Sequence, residues 1–335
     1  MRLLVLGGTV FLGRAVAEAA LAGGHHVTLF HRGVTNAGLF PEAEHRRGDR
    51  DGGLAALDHG TWDAVLDTSG YVPRVVGDSA RLLADRASTY VFVSSISAYA
   101  DIAEPGATED HPLRVLADLA VEQVGGETYG GLKAACEQAV RSALGERATI
   151  VRPGLIVGPF DPTDRFPYWP RRFARGGEVL APGTPDAHVQ VIDARDLAAW
   201  MLHLAQAGIH GTFNAVGPAG PMTMAGMLEA CRAAAGTDAT LTWVEDEFLV
   251  ARDVQPWSEL PMWLPAQHGA HARVSNARAL AAGLAFRPTV ETARDTLAWD
   301  VATPAEARTP RSILLGKPPL AATREAELLA EWKAR

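Results

Sequence analysis

The stretch "LVLGGTVFLGR", residues 3 to 13, constrains this chain more than any other. An apolar run over residues 2 to 6 enters a glycine turn, and "RAVAEAALAGG" continues as an alanine-rich helix pattern closed by Gly23 and Gly24. "HHVTLF" then reads as a second strand, completing a βαβ unit of about 30 residues. Such a turn aims backbone N–H groups and the positive end of a helix at an anion, so it suits a dinucleotide pyrophosphate. Gly7 and Gly8 make the turn, and Gly13 lets the helix lie against the strand. Val10 stands where a dinucleotide loop ordinarily carries its middle glycine. Its side chain predicts that phosphate is held from slightly farther away, or by Thr9 and the backbone at Phe11 and Leu12.

The end of the second strand sharpens the cofactor. An NAD site usually places an acid there for the ribose 2′-hydroxyl, whereas an arginine accommodates a 2′-phosphate. This strand ends in His31 and Arg32 with no acid, which predicts NADP, with NAD as the alternative; Arg14 is a further cation near the loop. A solvated turn residue is the structural alternative for Arg32.

"WDAVLDTSG", "STYVFVSSIS" and "ATIVRPGLIVG" supply more buried β-branched runs, separated by helix patterns such as "GDSARLLADRA" and "GLKAACEQAVRSALG". Strands alternating with helices predict an α/β fold, a Rossmann-type doubly wound parallel sheet with a smaller C-terminal substrate-binding lobe. The dinucleotide-binding part spans residues 1–155 and is completed by about 187–217. The lobe takes 156–186 and 218–335. Two segments rich in proline and aromatics, "GPFDPTDRFPYWPRRF" and "VQPWSELPMWLPAQHGAH", belong to it. The first reads as a loop or short helix over a ligand.

At 335 residues one large core is expected. A net charge of −8 leaves no broad electropositive face, which argues against nucleic acid as a partner. Cys136 and Cys231 sit in helical apolar patterns and read as buried thiols of a reducing compartment. No run approaches membrane-spanning length and "MRLLVLGG" enters a strand directly, so a cytoplasmic protein without membrane attachment is expected.

Tyr129 and Lys133 in "ETYGGLKAACE" lie four residues apart, so on a helix both emerge from one face. An ammonium beside a phenol favours the phenolate, and Tyr129 could then exchange a proton with a substrate oxygen. "FVSSISAYAD" ends a strand with hydroxyls where a parallel sheet presents its functional groups. With the glycine loop, "RPGLIVGP", "QVIDARDLA" and "GTFNAVG", these segments make the chain resemble an extended or atypical short-chain dehydrogenase/reductase of the NAD-dependent epimerase/dehydratase branch. The resemblance covers most of the chain.

It implies a Ser-Tyr-Lys triad of Ser95, Tyr129 and Lys133, with Tyr99 as the marker for the serine and Ser94 and Ser97 as fallbacks. It further implies that Lys133 bonds the nicotinamide ribose and that Asp49, beside Arg50, meets the adenine edge, unless Asp49 is a turn residue. Ser69 and Gly70 would line the cofactor channel, and the backbone after Pro153 would border the nicotinamide.

Three departures from the family pattern bear on the reaction. The loop is of the GGxxxxG form of a poorly characterised subgroup. Ile96 and Ser97 replace the Asp-Glu pair of sugar 4,6-dehydratases, so that elimination lacks its acid and base. Val189, followed by Gln190, occupies the place of an arginine that holds a nucleotide-sugar diphosphate, and "QHGAH" replaces a second one. Ser97, Arg165, Tyr168, Trp169, Gln190 and Trp257 are the candidate substrate contacts, with core packing the alternative for the tryptophans. His268 and His271 read as a polar loop with no metal, and Asp193 and Asp196 as structural, Asp196 capping "LAAWMLHLA".

The reading that follows is an oxidoreductase moving hydride between NADP(H) and the carbonyl or alcohol of a small molecule, as a monomer or homodimer. The alternatives are an epimerase on a sugar or sugar nucleotide and a non-enzyme that binds RNA or senses the cofactor.

Overall fold

The structure, a computed structural model, describes residues 1–118, 120–304 and 317–335. β1 (Arg2–Leu6) enters the glycine turn, α1 (Phe11–Ala22) leaves it, and β2 (His26–His31) and β3 (Glu44–Arg47) follow. Next come β4 (Trp62–Asp67), α2 (Pro73–Leu83), β5 (Ala87–Val93), α3 (Tyr129–Leu144), β6 (Ala148–Pro153) and β7 (Leu155–Val157). α4 (Arg165–Ala174), β8 (Glu178–Pro182), β9 (His188–Val189), β10 (Val191–Asp193), α5 (Ala194–Ala207) and β11 (Gly211–Ala215) continue the chain. β12 (Met222–Thr223), α6 (Met224–Ala235), β13 (Thr240–Val244), α7 (Asp246–Val250), α8 (Ala277–Ala281), α9 (Thr289–Ala302) and α10 (Ala322–Lys333) complete it.

Seven strands form the main sheet in the order β11-β6-β5-β4-β1-β2-β3, and every neighbouring pair is parallel. All carboxyl ends therefore meet at one edge, and the strand order reverses between β1 and β4, where such sheets open a ligand crevice. Strand periodicity sorts the core: Leu3 and Val5 face the side packed by α1 and α5, and Leu4 and Leu6 the side packed by α2 and α3. This is the Rossmann-type arrangement predicted. A second core gathers Phe166, Trp169 and Phe173 of α4 with Met227 and Leu228 of α6, Trp263, and Leu328 of α10, around the parallel pair β8 and β13.

Three local features differ from the sequence expectation. "EHRR" forms edge strand β3 although it has no apolar run, because its backbone pairs with β2, leaving Glu44 and Arg47 exposed and His45 and Arg46 half-buried. "ATIVRPGLIVG" breaks at Gly154 into β6, in the main sheet, and β7, which pairs with β10 outside it. The cap of α5 is Asp193, whose carboxylate accepts from the Arg195 amide at 2.8 Å, while Asp196 holds Arg287 at 2.8 Å. Cys136 and Cys231 are buried free thiols, as expected. No helix among the described residues is long and apolar enough to cross a membrane.

Candidate active site

The glycine turn shows why each glycine is there. Gly7 and Gly8 have φ of 111° and 92°, and a Cβ on Gly8 would lie 2.7 Å from the Leu29 side chain. At Gly13 a Cβ would come within 2.7 Å of the Gly8 backbone nitrogen, so helix and turn touch backbone to backbone. Val10 is the N-cap residue of α1, in extended conformation and 39% exposed; its side chain stands outside the turn, cannot cap the helix, and leaves the first-turn amides without a side-chain acceptor. The first turn also carries no acid. Thr9 is buried, and its carbonyl accepts from Asn36 at 2.9 Å.

At the end of β2 the structure separates the two predicted residues. His31 is buried, with Nδ1 accepting from the Gly33 amide at 3.0 Å and Nε2 facing His45 Nδ1 at 2.8 Å, while His45 Nε2 reaches the Phe40 carbonyl at 3.0 Å. That relay requires neutral rings, in keeping with a His31 pKa lowered by burial and by His45. The His31 side chain therefore positions the loop and is not available as a cofactor contact. Arg32 is exposed and has no ion pair among the described residues. Arg14 lies instead over the Phe160 ring, 3.5 Å from its centroid.

Arg50 is a second correction. Its guanidinium meets both Asp67 oxygens, at 2.6 and 2.5 Å, and Ser79 Oγ at 2.7 Å, with the Tyr90 hydroxyl donating to Asp67 at 2.8 Å. A buried carboxylate at the end of β4 needs a counter-charge, and Arg50 is consumed in supplying it. It braces the turn through Ser69 and Gly70 from behind. Asp49 takes the turn role, accepting from the Asp51 amide at 2.9 Å. Ser69 Oγ donates to the Leu6 carbonyl at 3.0 Å, and Pro153 is buried at the end of β6.

Ser95, Tyr129 and Lys133 converge at the carboxyl ends of β4 and β5. Tyr129 opens α3, with Ser95 near enough to act on its phenol and Tyr71 facing it at a ring separation of 6.5 Å. Lys133, buried one turn on, donates to the carbonyls of Gly70 at 2.7 Å and Val93 at 2.6 Å and lies 4.4 Å from the Phe92 ring centroid. Two of its three N–H bonds are thus committed and one is left. Burial, aided by Tyr71, pushes the Tyr129 pKa up to about 12 against the pull of Ser95 and Arg165. Two of the lysine's hydrogen bonds go to carbonyls, and burial of Tyr129 keeps its resting phenol a neutral proton donor.

The fallback serines differ. Ser94 Oγ donates to Glu137 at 2.5 Å and is occupied, whereas Ser97 is exposed and its amide donates to Ser95 Oγ at 3.1 Å. Among the predicted substrate contacts, Tyr168 and Trp169 belong to the second core: Trp169 is fully buried, its indole N–H on the Pro261 carbonyl at 2.9 Å, and Tyr168 packs edge-on against it. Gln190 is also withdrawn, because both ends of its amide bond the Val274 backbone, at 2.8 and 2.9 Å. Arg165 and Trp257 remain half-buried, the guanidinium 5.7 Å from the indole centroid and within electrostatic reach of Tyr129. Sequence reasoning missed Tyr71, although it directly follows "DTSG". It also missed Asp161, which nothing in "DPTD" sets apart from Asp164.

A sequence profile described as the NAD dependent epimerase/dehydratase family matches residues 3–217. The chain belongs to this family. It is an NAD(P)-dependent enzyme of the short-chain dehydrogenase/reductase type. Nothing matches it among curated proteins by sequence. Its fold is similar to that of the human epimerase family protein SDR39U1 (isoform 2) with NADPH, at TM-score 0.61 and 22% identity, covering 89% of this chain and 99% of that one. UDP-N-acetylglucosamine 4-epimerase from Bacillus cereus superposes with TM-score 0.65 at 17% identity, over 89% and 98% of the two chains. The UDP-Glc/GlcNAc 4-epimerase of Campylobacter jejuni gives 0.67 at 12%, over 90% and 99%. The family's nicotinamide dinucleotide fits the residues present: a cradle in which a Cβ would collide, an uncapped helix start above it, and a buried lysine with one free N–H at its far end.

Proposed function

We propose that this protein reduces a carbonyl group of a small molecule, or oxidises the corresponding alcohol, with NADP(H) as the hydride carrier. The observation that carries this reading is the meeting of Ser95, Tyr129 and Lys133 at the crevice edge of the sheet, with Lys133 fixed by the Gly70 and Val93 carbonyls and Ser95 by the Ser97 amide. When bound, the nicotinamide supplies the hydride chemistry. The chain's part is the proton and the geometry. Tyr129 holds a proton at its phenol oxygen, ready for the substrate oxygen that gains negative charge in reduction. Ser95 Oγ already accepts from the Ser97 amide, which leaves its O–H to donate to that same oxygen and fix its position. Lys133, pinned by two carbonyls, offers its remaining N–H to a ribose hydroxyl.

Preference for NADP rests on Arg32, exposed and, among the described residues, without a carboxylate partner, beyond a strand that ends in no acid. An epimerase would need the same three side chains. Reduction is favoured because Val189 and the engaged Gln190 supply no cation for a nucleotide diphosphate.

The test is NADPH oxidation with a panel of aldehydes and ketones, run beside NADPH binding. Tyr129→Phe should lower turnover about a hundredfold or more with NADPH affinity unchanged. Arg32→Ala should cut the preference for NADPH over NADH by about tenfold or more. Full activity in Tyr129→Phe would overturn the mechanism. NADP(H) that copurifies and never exchanges would favour epimerisation.

A further inference from the structure

Helix α4 carries three arginines, and two of them are neutralised. Arg171 is held by Asp164 at 2.6 Å and Asp300 at 2.9 Å, and Arg172 by Glu325 at 2.6 Å. Arg165 differs. Its Nε donates to Thr163 Oγ1 at 3.1 Å, but among the described residues no carboxylate lies within ion-pair distance and neither terminal nitrogen has a partner. A half-buried guanidinium without a counter-ion is an unfavourable arrangement unless something else supplies the charge.

The residues behind it hold it in that state. Thr163 donates its hydroxyl proton to Asp161 Oδ1 at 2.6 Å, and its amide donates to the same oxygen at 2.8 Å. The Thr163 oxygen is thereby turned toward Arg165, and the chain Asp161–Thr163–Arg165 fixes the guanidinium by its Nε. Asp161 is buried, with its other oxygen unpartnered, and burial pushes its pKa up against the pull of Arg165 and Thr163. Its charge acts on Arg165 only from beyond ion-pair distance, with Oδ1 taken by Thr163. In front, the guanidinium faces Trp257 and its charge acts on Tyr129.

We propose that Arg165 is an anion-binding residue and that the substrate is a carbonyl or alcohol compound bearing one carboxylate or phosphate monoester, seated on the two terminal nitrogens of Arg165 with its apolar part against Trp257. Thr163 and Asp161 are positioning residues. The placement of the reacting carbon rests on the Tyr129 reading above; the anion site does not. One fork of two parallel N–H donors matches one planar anion.

The test is titration of benzoate, phenyl phosphate and neutral benzamide into the NADP⁺-loaded protein by calorimetry, for wild type, Arg165→Met and Arg165→Lys. One anion should bind at least about tenfold more tightly than benzamide, the scale of a charged hydrogen-bonded pair. Arg165→Met should erase that difference and Arg165→Lys restore part of it, with NADPH affinity and melting temperature unchanged. Whichever anion binds more tightly names the source. Equal anion binding by wild type and Arg165→Met, or none by a protein that still binds NADPH, overturns the anion site and leaves the oxidoreductase reading standing. Failure to bind NADPH together with Arg165-dependent anion binding does the reverse.

Discussion

Lys133 is a cation inside the protein, and its surroundings predict a pH signature. Burial pulls its pKa from 10.5 down to about 8, against the opposing pull of Cys136, Asp67 and Glu137. Below about pH 8 the lysine is charged both folded and unfolded, so the full cost of burying that charge is present. Between about 8 and 10.5 the unfolded chain binds more protons than the folded one, so the unfolding free energy contributed by this group rises with pH. Urea melts of wild type and Lys133→Met should therefore show the stability difference shifting toward wild type from pH 8 to 10 and staying flat from 6 to 7.5; a difference constant throughout would mean that the lysine is not desolvated. Spacing alone put Tyr129 and Lys133 on one helix face. It could not say that the Lys133 ammonium would turn to the Gly70 and Val93 carbonyls, because those belong to distant segments.

At the scale of an element, the glycine turn was legible because glycine there answers a steric demand that the sequence displays directly. The contrast between positions 13 and 10 tests it. Gly13→Ala drives a methyl group into the Gly8 backbone and should lower both melting temperature and NADPH affinity, the latter about tenfold or more by moving the donor turn. Val10→Ala trims an exposed side chain and should leave both within error. Equal effects at the two sites would show that the turn is not close-packed. Helix α4 was harder to read. Its aromatic and proline content suggested a ligand-facing segment, yet Phe166, Tyr168, Trp169 and Phe173 are buried in the second core and Arg165, at its first turn, is left toward Tyr129. An aromatic residue looks the same in a sequence whether it lines a pocket or fills one.

Across the whole molecule, a buried polar network joins elements far apart in the chain. Arg152 of β6 makes a two-pronged pair with Glu137 of α3, at 2.9 and 2.7 Å, and donates to the Tyr99 hydroxyl at 2.9 Å; Tyr99 in turn donates to Asn214 of β11 at 2.6 Å. The Asn214 amide closes the circuit on Glu109 at 2.8 Å. Arg152→Met removes one partner and leaves the Glu137 charge buried, so a loss of about 3–5 kcal/mol is expected in chemical denaturation; Arg152→Met with Glu137→Gln should recover part of it. The sequence by itself determined the βαβ start, the parallel sheet with helices on both faces and the tyrosine–lysine helix, because each is written in local periodicity or in the steric needs of glycine. Only the tertiary structure decided which arginines are neutralised, that Arg50 and His31 are braces, that Gln190 is spent on a backbone, and that the Tyr129 phenol rests protonated. Those outcomes depend on burial and on partners brought together from distant segments, and charge pairing across such distances leaves no trace in spacing.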